Sequence, residues 1–427
     1  MLFALASVSV WSGYRAVDAQ NAALARISAA HQQDTEAVSA QYGKKGDAGY
    51  AAYYTFHLTR DEPSPLTFVA FGQRDLQPYS LRIRMLGLHS QLYASETFNP
   101  ELALPGRFDF AFVLIYLVPL FLIVLMHDLL TAEREAGRLS LLASLPLARG
   151  RLWLRRVGLR YGLVLAALFL PLFAGLALSR GAVYIAAGIV AITVLYAAFW
   201  AGLALLIGAM ARSSAGSAAV LLGLFVMLTI VLPNVVNSAI TRFVPVKKGI
   251  ELSMAQRQEV HQGWDLPKSA VMDKFFIHHP EWRDTPPVTG RFHWKWYYAM
   301  HQVGDEAVSA QAKQYRESLE QRESWTRNAG FFLPAVAVQV SLHRLAATDL
   351  AAQLEYMDKV SGFHAELRRS YYPFVFNEQP FGMQEFRRMP VFESHASHGA
   401  LLPGLIGILG VAAFGIVAAG CAAIRSH

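Results

Sequence analysis

Cys421 is the only cysteine in 427 residues, so no intrachain disulfide can form and the fold must be held by ordinary packing. Charge is also scarce, at 16% of the chain against 54% hydrophobic residues, a balance that points to a protein partly in lipid. The patterns of the common chemistries are missing. No G-x-x-x-x-G-K followed by Ser or Thr occurs, so there is no amide-lined loop with a lysine to cradle phosphates, and ATP hydrolysis by this chain alone is excluded. There is no G-x-S-x-G, and the one thiol lies in the last apolar run, which leaves no recognisable nucleophile for a hydrolase. The apolar runs carry almost no ionisable side chains, which removes the proton or ion relays of ion-coupled carriers.

What remains is a set of long apolar runs at 110–126, 161–178, 182–210, 217–240 and 399–424. A hydrocarbon core of about 30 Å takes roughly 17 to 25 helical residues to cross, so each run predicts a spanning helix. A sixth is expected from MLFALASVSVWSGY (1–14), apolar but short and without a preceding basic residue. It reads as the outer half of a first helix whose inner half is absent, a truncated start; a signal peptide is the rival reading and is disfavoured by the lack of a charged leader. The fold class expected is an all-α polytopic membrane protein of six transmembrane helices with two polar insertions, mainly helical with some strand. Prolines Pro119, Pro171, Pro233 and Pro403 interrupt these runs as packing kinks or as hinges. Gly202, Gly208, Gly216, Gly404, Gly407 and Gly410 would let helices approach closely, within the chain or across a dimer.

The formal net charge is +7, and its location decides its meaning. Residues 15–107 hold 9 Lys and Arg against 9 Asp and Glu, and residues 237–398 hold 19 against 18. The rest of the chain carries 10 basic and 4 acidic residues, with 7 of the basic ones inside 127–160. Basic residues in short loops resist translocation whereas long domains cross regardless of charge. The segment 127–160 is therefore expected in the cytoplasm, and the regions 15–109 and 241–398 on the other side, of a bacterial inner membrane. No basic patch falls on a soluble domain, so nucleic acid is not an expected partner.

The first insertion opens with an Ala- and Gln-rich helical stretch continuing the first helix outward; beyond GKKGDAG, strand and turn signals around SLRIRML suggest a small α/β cap. The second contains a polar stretch, Gly304 to Asn328, that reads as an exposed helix. After it, leucines at near-helical spacing behind Phe331, Phe332 and Pro334 suggest an amphipathic subdomain resting near the bilayer. Among the histidines, His395 and His398 are three apart and would share a helix face as a metal chelate, with Met272, Met300, Met383 and Met389 as soft ligands for copper. No carboxylate motif accompanies them, and scattered His and Met more often serve packing.

The segment HDLLTAEREAGRLSLLASLPLARGRLWLRRVGLR, His127 to Arg160, carries seven arginines and three acids. It reads as a short acidic helix with Glu133 and Glu135, a break at Gly137, an apolar run ending at Pro146, and a basic stretch entering the next span. Its charges fit either snorkelling at lipid headgroups or a socket for a cytoplasmic partner. Here the sequence resembles the permease subunits of ABC-2 type ATP-binding-cassette transporters. In that family an E-R/K-E-x-G-T-L stretch, an apolar run, a proline and basic residues follow the second membrane helix. Glu133, Arg134, Glu135, Gly137, Leu139 and Pro146 stand in that arrangement, and Arg138 replaces the usual Thr. With NPELALPGRFDFAFVLIYLVPLFLIVLMHDLL upstream, the chain is similar to the subgroup with two large extracytoplasmic insertions, related to permeases for multicopper-enzyme maturation.

The resemblance implies a subunit with no catalytic residues and no cofactor of its own, ATP and Mg being held by separate cytoplasmic ATPase subunits docked on the arginine-rich loop. A second permease, as homodimer or related paralogue, and membrane lipid are the other implied partners. Export or extracytoplasmic conformational work driven by those ATPase subunits is the expected function. The alternatives are a non-transporting lever acting on an extracytoplasmic partner, and a membrane-anchored copper-handling maturation factor.

Overall fold

The computed structural model of the chain describes residues 1–93, 107–138, 142, 151–179, 183–246, 249–394 and 399–425. Helix α1 runs unbroken over Leu2–Tyr42, 41 residues, because the Ala-rich sequence after the apolar start contains neither proline nor a second glycine to stop it. It is followed by α2 (Ala48–Tyr54), capped by the Asp47 carboxylate on the Tyr50 amide, and by the antiparallel strands β1 (His57–Arg60) and β2 (Ser80–Ile83).

Among the described residues, five helical stretches are long and apolar enough to cross a membrane: α3 (Phe110–Glu135), α4 (which begins at Arg151 and ends at Ser179), α5 (Val183–Met210), α6 (Ser214–Phe243) and a last one starting at Pro403. The apolar start of α1 is not among them, yet Leu2, Ala6 and Val10 pack into the same core as these helices. The basic stretch before the third expected span is itself helical, so α4 starts ten residues earlier than the apolar run. No breaker stands between Arg151 and Tyr161, and buried Trp153 anchors the added turns.

Two of the four prolines sit just past a π-helical turn, at Val113–Leu117 before Pro119 and at Met227–Val231 before Pro233. Proline leaves the carbonyl four residues earlier without its donor. For Pro119 that carbonyl belongs to Ile115, and the buried Tyr196 hydroxyl of α5 donates to it at 3.1 Å. Of the six glycines singled out by sequence, Gly202 is the one that decides a helix contact: a Cβ there would stand 2.9 Å from the Val417 backbone nitrogen.

Between α6 and the last helix lie α7 (Gly249–Asp265), α8 (Lys268–His278), α9 (Trp294–Ala307), α10 (Ser309–Ala329), α11 (Pro334–Ala346) and α12 (Leu350–Phe376); the last is α13 (Pro403–Arg425). The two polar insertions do not form separate units. Tyr42, Ala51, Ile83 and Leu92 from the first share one apolar core with Phe275, Trp296, Tyr356 and Phe376 from the second. The expected small cap is thus one wall of a single head domain. The exposed helix expected over Gly304 to Asn328 is broken at Val308, and its second part, α10, buries only Ala312, Tyr315, Leu319 and Thr326.

The expected amphipathic subdomain behind Phe331 is also different. Helix α11 is buried on nearly every side, packed on α5 and α13, because Ala335, Val336, Ala337, Val338 and Val340 give it no polar face over its first two turns. It plugs the head into the span bundle instead of lying on a bilayer.

Candidate functional site

The acidic segment after α3 closes as a Schellman motif. Arg138 N–H donates to the Glu133 carbonyl at 2.9 Å and Gly137 N–H to the Arg134 carbonyl at 3.0 Å, with Gly137 at φ +68°. Nothing lies within 4 Å of where a Cβ would stand on Gly137, so glycine is required for its backbone conformation and not for space.

That tight ending aims two neighbouring charges at the turn between α5 and α6. The Arg134 guanidinium donates to the Ala209 carbonyl at 2.9 Å and also to the Ala211 carbonyl. Ala209 is in the last turn of α5 and Ala211 directly follows it, where carbonyls lack intrahelical partners and a cation is favoured. Glu135 does the converse at the start of α6. Its carboxylate accepts from the Ser214 amide at 3.0 Å and from the Ser214 hydroxyl at 2.8 Å, where orphan amides favour an anion. Ser213 caps the same helix through the Gly216 amide at 3.1 Å. Fully buried Thr131 completes the contact, 2.9 Å from the Ser214 hydroxyl. One helical turn therefore clasps a helix C-terminus and a helix N-terminus at once.

Glu133 faces the other way. It pairs with Arg138 at 2.7 Å and with Arg156 of α4 at 3.0 Å, and Arg156 lies over the Trp153 ring. Asp128 meets Arg160 at 3.3 Å in a more exposed pair. Beneath these charges a small apolar cluster of Leu129, Leu130, Trp153, Leu205 and Ala209 ties the segment to α4 and α5. The segment is thus fastened to three spans, and Arg138 and Arg155 are left exposed on its surface.

Of the residues singled out by sequence, Glu133, Arg134, Glu135, Gly137 and Arg138 come together here, while Leu139 and Pro146 lie outside the described residues. His395 and His398 also lie outside them. Among the described residues no group of three or more His, Cys, Asp or Glu could hold a metal. Met272 and Met300 are buried in the head core, which accounts for them as packing. Sequence reasoning missed Thr131, Arg156, Ser213 and Ser214. The ARSSAG turn did carry a signal, since Ser-Ser before an apolar run is a helix-start pattern.

A family model described as ABC-2 family transporter protein matches residues 13–277, and one described as Domain of unknown function (DUF3526) matches residues 250–395. Neither the curated proteins nor the solved structures contain a match.

Proposed function

The chain belongs to the ABC-2 family of transporter proteins, whose model spans more than half of it, and we propose that it is the permease subunit that couples ATP hydrolysis on separate cytoplasmic ATPase subunits to export. One observation carries this reading: a surface segment bearing exposed Arg138 and Arg155 is clamped through Arg134, Glu135 and Glu133 to α4, α5 and α6. A push on that segment reaches three spans without passing through a loose loop. The energy that separates the transport states comes from differential nucleotide binding on the partner, which has the phosphate chemistry this chain lacks.

The same reading puts the head domain on the extracytoplasmic side of a bacterial inner membrane, since its charge is near balance while the clamped segment is basic. A second permease, identical or related, completes the transporter. Helices α4, α6 and α13 bury little of their apolar surface within the chain, which supports lipid and a partner helix as their surroundings.

The test is copurification with an ABC ATPase and ATP hydrolysis by the complex. Arg155→Glu is expected to weaken the association or lower coupled hydrolysis while leaving thermal stability near wild type, since Arg138 is already engaged by Glu133. An unchanged association and rate would remove the proposed docking surface. A second reading, a lever that does mechanical work on an extracytoplasmic partner, is favoured by the single core shared by both insertions. It predicts nucleotide-dependent changes in head-domain hydrogen exchange in a reconstituted complex that moves no solute.

A further inference from the structure

A cavity of about 270 Å³ opens in the head domain at the seam between the two insertions. Arg84, Ser90 and Gln91 line it from the first, and Gln256, Arg257 and His301 from the second. Its hydrogen-bonding inventory is one-sided. The Gly87 amide donates to His301 Nδ1 at 3.2 Å, so in the neutral ring the proton sits on Nε2. That Nε2 is buried and has no partner among the described residues. Burial together with the Arg84 and Arg368 charges pushes His301 down to about 4, so the neutral, Nε2-donating form holds at ordinary pH.

Gln256 is 1% exposed, and its amide nitrogen likewise has no partner among the described residues. It reaches this position only because residue 87 is glycine: a Cβ there would fall 1.9 Å from Gln256 Nε2. The neighbouring polar groups are already used. Gln91 accepts from the Arg84 amide and donates to the Arg84 and Gly87 carbonyls, and Ser90 donates to Gly87. Asp305 is neutralised by Arg368 at 2.8 Å and accepts from the Leu88 and His89 amides. Arg84 stacks over Tyr53 and Phe56, and neither it nor Arg257 has a carboxylate partner among the described residues. Two buried donors without acceptors, beside two guanidinium groups without anions, call for an acceptor-only ligand.

We propose that this cavity binds a small oxyanion, a carboxylate or phosphate group, held by Gln256 Nε2 and His301 Nε2 with charge supplied by Arg84 and Arg257. The ligand would bridge the two insertions, and the site is independent of whether an ATPase docks on the basic segment. The volume exceeds what an acidic group alone needs and leaves room for the small molecule that carries it.

The test is thermal unfolding of the purified full chain in detergent, titrated with potassium phosphate, potassium acetate, or potassium chloride at matched ionic strength. A saturable rise in Tm beyond the chloride control is expected with phosphate, acetate or both, and the more effective anion names the ligand class. Arg257→Ala, a surface change, should leave Tm in chloride unaltered and weaken the anion roughly tenfold, the worth of one charged hydrogen bond. Gln256→Leu should weaken it at least as much. A rise no greater than that in chloride would overturn the proposal, the donors then being met by water alone. An undiminished response in both variants would overturn it as well.

Discussion

Arg134→Met tests the clasp between the acidic segment and the α5–α6 turn. The substitution keeps the length of the side chain and removes donors to two carbonyls at the end of α5. A hydrogen bond from a charged donor is worth about 1.5–3 kcal/mol, and Arg134 is only half-buried, so water recovers part of that; the expected loss is about 2 kcal/mol in total. Arg134→Lys offers a point charge that satisfies one carbonyl well and should restore about half of it. The assay is the SDS unfolding midpoint of the purified chain in bicelles, with amide exchange across 211–217 as a local readout. Glu135→Gln should speed exchange of the Ser214 amide, which donates to the Glu135 carboxylate, with a smaller global cost because Glu135 is exposed. A loss below about 0.5 kcal/mol for Arg134→Met, within the range of an ordinary surface change, would refute the clasp. So would a lysine as good as the arginine.

Three further substitutions probe the span contacts and the head domain. Gly202→Val would set a side chain 2.8 Å from Val417 Cγ2 and 2.9 Å from its backbone nitrogen, and is expected to cost about 1–3 kcal/mol of overpacking; an unaltered unfolding midpoint would show that α5 and α13 do not pack this closely. Tyr196→Phe strips the donor from the Ile115 carbonyl that Pro119 leaves free, with an expected loss of about 1–2 kcal/mol, and full stability in the variant would mean the carbonyl finds another donor. His57 is pushed down to about 3 by burial with His31 nearby, and His364 falls well below its ordinary value through burial and the Arg368 charge. Both stay neutral in the fold while the unfolded chain takes up protons below about pH 6.5. Stability is therefore complete above that pH and falls as pH drops, by up to about 1.4 kcal/mol per unit for each ring. A Tm that is the same at pH 7 and pH 5, or a slope unaffected by His57→Phe, would contradict the assignment.

The spans were legible because apolar runs of the right length have few other uses in a chain with this little charge. The segment around Glu133 was legible as a site for a related reason: its charges stand where an apolar chain has no structural need of them. What it binds was not legible. Charged residues in a loop suggest an outside partner, yet Arg134 and Glu135 spend their charge on helix ends of the same chain, because the ARSSAG turn brings those ends within reach only in three dimensions. Arg138, unexplained by motif, acquires a reason once Glu133 is seen between it and Arg156. The sequence shows the head domain as two insertions, since nothing local reports that Tyr42 and Phe376, 334 positions apart, share a core. Helix α11 misled for the opposite reason: the spaced leucines and the charges at its C-terminal end, His343 and Arg344, imitate an interfacial helix, while ten of its thirteen residues are buried.

Helix α5 joins these parts mechanically. Its last turn is held by Arg134, its middle is in contact with α13 at Gly202, and near its start Gly188 abuts Leu345 of α11 and Leu401. At about 1.5 Å per residue its 28 residues make a rod of about 42 Å, and no proline or π turn interrupts it, in contrast to α3, α4 and α6. Under the proposed coupling, displacement of the clasp at one end is therefore delivered to the head domain at the other with no hinge between to absorb it. The prolines fall in the helices that flank this rod. Under the same proposal, bending falls to these flanking helices and α5 carries the displacement.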